Sequence, residues 1–151
     1  MLNYANGDPF STGAITCEIA PLNVGRDTNN RIKLLVKIED VLTEAVVDTG
    51  GIYCILHPAA AADIGFDPLE WIGDDKVKIR GVDCKGSLYR ATLRIIADQG
   101  ESLEQLVTVF VPVITAEEWG ELPTFLGLSG CLEFLRFAID PRTQQFYFAS
   151  A

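Results

Sequence analysis

The sequence predicts a mainly β, single-domain protein, and three observations carry that reading. Short runs rich in β-branched and aromatic residues recur along the chain, separated by Gly, Asn, Asp and Pro. Two of them, Lys76–Arg80 and Ser87–Ile96, alternate apolar and polar residues at the period of a half-buried strand. Helical signals are few, and no segment repeats. At 151 residues the chain is of one-domain length and large enough to bury a core.

Residues 1–12, with Asn3, Asn6, Gly7, Asp8 and Pro9, read as irregular. They belong to an N-terminal extension of residues 1–30 that holds a possible strand at 14–22, and the main domain takes residues 31–151. Asn23–Asn30 collects Gly25, Asp27 and Asn29 and reads as a loop. Ile32–Ile38 is a strand, and Glu39-Asp40 turns it back. Ala45-Val46-Val47 then forms a short apolar run that ends in Asp48-Thr49-Gly50-Gly51. An unpaired carboxylate is costly inside a buried strand, so Asp48 is expected where the strand stops. Gly50 and Gly51 are expected to supply a turn with φ > 0.

Pro58–Ile64 sets an Ala run behind a proline and predicts a short helix. Phe66–Asp75 reads as a loop. The two alternating runs around Gly81–Gly86 predict a β-hairpin whose tip is that glycine-bracketed segment. Leu103–Val113 is a further strand. Phe125-Leu126-Gly127 leads into an expected helix over Ser129–Phe137, with Leu132, Phe134 and Leu135 on its apolar face. Ile139–Gln144 holds a strand end and a turn, and Gln145–Ala149 a terminal strand.

Composition removes several function classes. Hydrophobic content of 48% with 22% charged residues is ordinary for a globular chain. A net charge of −9 opposes nucleic-acid binding, which needs clustered Lys and Arg, and reads as a self-repelling surface. Gly127-Leu128-Ser129-Gly130 has the outline of an RNA-binding glycine loop but lacks basic flanks. Cys17, Cys54, Cys84 and Cys131 lie far apart, and with His57 as the single histidine they form no metal-ligand set. Buried free thiols in a reducing compartment are expected, with no metal and no cofactor. His57 precedes Pro58 and reads as a helix-start residue rather than a catalytic base. The first 25 residues lack Lys, Arg and a long apolar core, so no signal peptide is expected. Leu106–Ile114 is too short to span a membrane. These features predict a cytoplasmic protein.

Asp-Thr-Gly alone says little, since it arises by chance in roughly one chain in thirty of this length. Its context says more. Val46-Val47-Asp48-Thr49-Gly50, the segment Ile55–Phe66, and Phe125-Leu126-Gly127 together resemble the retropepsin-like aspartic peptidases, the single-domain relatives of retroviral proteases. The resemblance covers residues 31–149. It implies an acid-protease barrel with a flap hairpin and one short C-terminal helix. It also implies catalytic Asp48, Thr49 and Gly50, and substrate contacts from Gly51, Ile52, Gly81, Val82, Asp83, Cys84 and Gly86. Two positions depart from the family pattern: Gly51 stands where Ala or Ser is usual, and Ile52 where retroviral members carry an acid.

Peptide hydrolysis of this kind needs two carboxylates sharing one proton, and the chain has one Asp-Thr-Gly. Asp140 sits in Ile-Asp-Pro without a glycine turn, so it is no second copy. The expectation is a homodimer in which two Asp48 side chains meet and act on a peptide or protein substrate. The rival expectation is a catalytically silent dimerisation or peptide-binding module on the same fold.

Overall fold

Strands carry the architecture of the computed structural model, which describes residues 1–151. The N-terminal third gives β1 (Gly13–Thr16), β2 (Glu18–Pro21), β3 (Asn30–Ile38), β4 (Val41–Ile52) and β5 (Cys54–Ile55). Helix α1 (Pro58–Ile64) precedes β6 (Gly73–Ile79), β7 (Val82–Ile95), β8 (Gln99–Gly100) and β9 (Leu103–Pro112). A single turn, α2 (Ala116–Trp119), leads to β10 (Thr124–Ser129), β11 (Leu135–Asp140) and β12 (Gln145–Ser150).

The larger sheet has the order β2-β3-β4-β10-β5-β9-β7-β6, and a further β3–β7 pairing closes its middle strands into a ring. The smaller sheet runs β11-β12-β1-β8. Leu34, Val36 and Ile38 alternate inward from β3, while Leu35 between them is exposed. They meet Leu93, Val107, Leu126, Phe146 and Phe148 in one apolar core spanning both sheets. The four cysteines are buried free thiols, as the wide spacing predicts. No helix is long and apolar enough to cross a membrane.

Residues 14–22 form two strands in different sheets rather than one. β1 lies between β12 and β8, and β2 pairs with β3. The chain crosses over at Cys17, whose N–H donates to the Gln144 carbonyl at 2.9 Å.

Helix α1 follows its sequence signals. His57 caps it, its Nδ1 accepting the Ala59 N–H at 3.0 Å. Gly65 ends it at φ 67°, its N–H donating to Ala61 O. The helix expected over Ser129–Phe137 is corrected to one 3-10 turn at Leu132–Phe134, followed by β11. Apolar residues at 132, 134, 135 and 137 suit either period. Pairing decides between them: β11 matches β12 from Leu135↔Ser150 to Asp140↔Gln145, and Phe137 stacks on Phe146 at 5.8 Å.

The hairpin also differs from expectation. Its strands are β6 and β7, paired from Gly73↔Leu88 to Ile79↔Val82, so Asp74 and Asp75 are strand residues. The tip is Arg80-Gly81, with φ of 53° and 81°, rather than Gly81–Gly86. Two central residues at positive φ make a primed turn, whose twist suits the strands. Gly86 instead serves packing: a methyl group there would lie 2.3 Å from the Phe110 ring.

Candidate active site

β4 and β10 run parallel, and their register sets Phe125 beside Val46, Leu126 beside Val47, and Gly127 beside Asp48. The two apolar triplets singled out in the sequence are thus neighbouring strands. Strand β4 continues through Asp48 to Ile52, contrary to the turn expected at Gly50-Gly51, and neither glycine has positive φ. The left-handed residue is Tyr53, at φ 62°. A methyl group on Gly51 would sit 2.9 Å from Asp48 Oδ2, so a larger residue there would turn the carboxylate. Asp48 is only part-buried, which resolves the cost of a carboxylate within a strand. No cation of the chain pairs with it.

Beyond Ile52 the chain wraps around β10. Tyr53 N–H donates to Ser129 O at 2.7 Å, and Gly127 N–H donates to Tyr53 O at 2.8 Å. β5 then pairs antiparallel with β10 and parallel with β9. A bulky residue in the left-handed region is uncommon, and these two hydrogen bonds hold it there.

A buried hydroxyl fixes the loop from below. Thr124, fully buried, accepts the His57 N–H at 3.1 Å and shares a 2.9 Å hydrogen bond with Thr43. One side chain therefore joins β4, β10 and the start of α1.

Asp48 opens onto a pocket of about 470 Å³. Its floor is apolar, from Val46, Val47, Ile55 and Phe125. One wall is the hairpin end, Lys78, Ile79 and Arg80, and another is the loop before β3, with Arg26 and Asp27, continued by Arg31 at the start of β3. The walls are tied together. Arg80 donates to Val24 O at 3.0 Å and lies 3.6 Å from Asp27 Oδ2, which Arg31 also holds at 2.9 Å. The Arg31 hydrogen bond, helped by both guanidinium charges, keeps the Asp27 carboxyl below its ordinary range. Tyr53 adds a second tie to the hairpin, its hydroxyl donating to Asp75 at 2.7 Å. That bond raises the phenol's pKa and lowers the Asp75 carboxyl's.

No family model and no curated protein matches the chain. Among solved structures it is similar to a retropepsin-like aspartic protease from Rickettsia conorii. That likeness has a TM-score of 0.52 and 21% identity, and covers 92% of this chain and 93% of that one. The fold is retropepsin-like.

Within the retropepsin-like fold the sequence-derived residues separate into groups. Asp48 and Phe125 line the pocket, Leu126 lies in the core, and Gly127 faces the Tyr53 turn. Thr49 and Gly50 are exposed beside Asp48, and Ile52 is 38% exposed. Gly81 is at the hairpin tip. Val82, Asp83 and Cys84 line a separate pocket of about 460 Å³ with Ile114, Trp119 and Leu122. Gly86 lies over Phe110. Sequence reasoning missed the loop wall, Arg80 and Thr124. The Asp27–Arg31 spacing was the available sign of the first, and Thr124 stands directly before the Phe-Leu-Gly triplet.

Proposed function

We propose that the chain is an aspartic endopeptidase that works as a two-fold homodimer. The observation that carries this reading is Asp48 itself: a carboxylate on a braced strand, in no ion pair, facing a pocket beside a hairpin. One chain supplies one such carboxylate, and a symmetry mate supplies the other.

In the dimer the two Asp48 side chains share one proton. The ionised carboxylate takes a proton from a water as it attacks the peptide carbonyl. The protonated one hydrogen-bonds the carbonyl oxygen and then delivers its proton to the leaving nitrogen. Thr49 braces one loop against the other, and Gly50 and Gly51 keep the backbone beside the carboxylates open to the substrate. The hairpin acts as the flap, with Gly81 at its tip. Gly51 and Ile52 complete the substrate-binding set with it, while Val82, Asp83 and Cys84 face the separate pocket and Gly86 packs on Phe110. An extended peptide lies between the flap and the apolar floor.

The test is hydrolysis of an unfolded protein at mildly acidic pH by wild type and by Asp48→Asn. Asn keeps the shape but cannot exchange the proton, so activity should fall by at least about 10³-fold, with the fold retained. Equal rates in the two proteins would remove Asp48 from the mechanism. Dimers that bind peptide but never cleave it would favour the silent binding module.

A further inference from the structure

The pocket beside Asp48 carries a charge that the rest of the molecule does not. The chain has 21 acidic and 12 basic side chains, yet Arg26, Arg31, Lys78 and Arg80 all line this one pocket. The only carboxylates there are Asp27 and Asp48. Asp27 is engaged by Arg31 at 2.9 Å and Arg80 at 3.6 Å. Arg26 and Lys78 take part in no ion pair, and they come from different elements, one from the loop before β3 and one from β6.

We propose that this pocket selects a glutamate side chain of the substrate, with Arg26 and Lys78 as the groups that receive its carboxylate. The assignment rests on the peptidase reading above. Its physical basis is the division of the pocket into an apolar floor and a cationic rim. Val46, Val47, Ile55 and Phe125 would pack the methylene stem, and the two free cations would meet the charge where the stem ends. Aspartate, one methylene shorter, would draw its charge toward the floor and lose part of both contacts. The overall −9 charge repels an acidic peptide at a distance. Exposed charges are screened over about 8 Å at physiological salt, so the local cations decide the docking.

The experiment uses the full chain and a peptide series identical except for Glu, Gln, Asp or Lys at one position. Each position of the peptide carries the four residues in turn, so the series needs no prior cleavage map. Glu should exceed Gln in kcat/KM by about tenfold or more, as expected for charge-assisted hydrogen bonds. The Glu-to-Gln ratio should fall toward one in the Arg26→Gln, Lys78→Gln double variant. Lys78→Glu should shift the preference toward the Lys peptide. The same peptides are also titrated onto Asp48→Asn by fluorescence anisotropy, a reading independent of turnover. Cleavage without any preference for Glu overturns the inference and leaves the peptidase reading intact. Preferential Glu binding without cleavage supports the pocket assignment and overturns the peptidase reading. Equal binding of Glu, Gln and Lys peptides overturns the inference whether or not cleavage occurs.

Discussion

Tyr53 and Gly127 are locked together backbone to backbone beside Asp48. The Tyr53 carbonyl accepts the Gly127 N–H at 2.8 Å, and a methyl group on Gly127 would lie 2.6 Å from that same oxygen. It would also lie 2.7 Å from the backbone of Ile52. All of these atoms are backbone, which cannot rotate aside as a side-chain end can. The glycine in the Phe125-Leu126-Gly127 triplet is therefore a condition for the Asp48 loop to wrap around β10.

Gly127→Ala should accordingly destabilise the fold. Forcing a methyl into a packed site costs typically 1–3 kcal/mol, or about 2–4 °C in Tm per kcal/mol for a chain of this size. Urea denaturation monitored by tryptophan fluorescence gives the difference. A loss under about 0.5 kcal/mol would mean that the loop has slack that the contacts do not show.

Thr124→Val should be costly for a different reason. Valine matches the shape of threonine but leaves the His57 N–H and the Thr43 hydroxyl without their shared partner. Buried groups left unpaired cost about 1–3 kcal/mol. Adding Thr43→Val removes one of the two orphans, so the double variant should be less destabilised than the two single losses added together. Strict additivity, measured in the same urea titration, would show that the two hydroxyls do not interact.

The strand that carries Asp48 was legible because its signal, the apolar run Ala45-Val46-Val47, is local. Phe125-Leu126-Gly127 read only as the lead into a helix, and its strand is set by pairing with β4 and β5. Arg80-Gly81 was not legible as the hairpin tip, because Arg seldom takes positive φ and Asn-Gly is the usual sign. What holds Arg80 there is Val24 and Asp27, more than fifty residues away by their numbers, and no local pattern encodes that contact. Ser129–Phe137 misled for the opposite reason. Its apolar spacing fits a helix, but β12, which follows it in sequence, offers a complete ladder. Gly50 and Gly51 suggested a turn, yet both continue β4 without positive φ, and a methyl group on Gly50 would meet nothing closer than 3.7 Å.

Asp27 should titrate below an ordinary aspartate, and Arg31 should be the main cause. In the folded chain its carboxyl is held low, chiefly by the Arg31 hydrogen bond. The folded state therefore binds fewer protons than the unfolded state near pH 4, the usual range for Asp. Its contribution to stability is full above that range and is lost as pH falls through the lowered folded value. Arg31→Gln should move the Asp27 titration, followed by carboxyl NMR, back toward the ordinary range. It should also flatten the acid side of the stability curve. An Asp27 titration that is the same with and without Arg31 would refute the assignment.

The dimer proposed around Asp48 makes a demand on Ile52 and Leu128. Ile52 is 38% exposed and Leu128 42% exposed, and the pairing of Ser129 with Ile52 puts both on the edge that carries Thr49 and Gly50. Two large apolar side chains open to solvent beside the Asp48 loop are what a two-fold partner would cover. Leu128→Glu would place two like carboxylates near the axis, added to chains that already carry −9 each. Like-charge juxtaposition in an interface costs several kcal/mol, so the dissociation constant should rise by at least about tenfold. Monomer stability should stay within about 0.5 kcal/mol, because the side chain is not part of the core. Wild-type association should tighten as salt rises, since screening weakens repulsion between the two negative chains. Sedimentation equilibrium of both proteins at low and high salt measures these quantities, and peptidase activity should follow the dimer fraction. A wild-type chain that stays monomeric at high concentration, or equal dissociation constants for the two proteins, would place the second carboxylate somewhere other than across this edge.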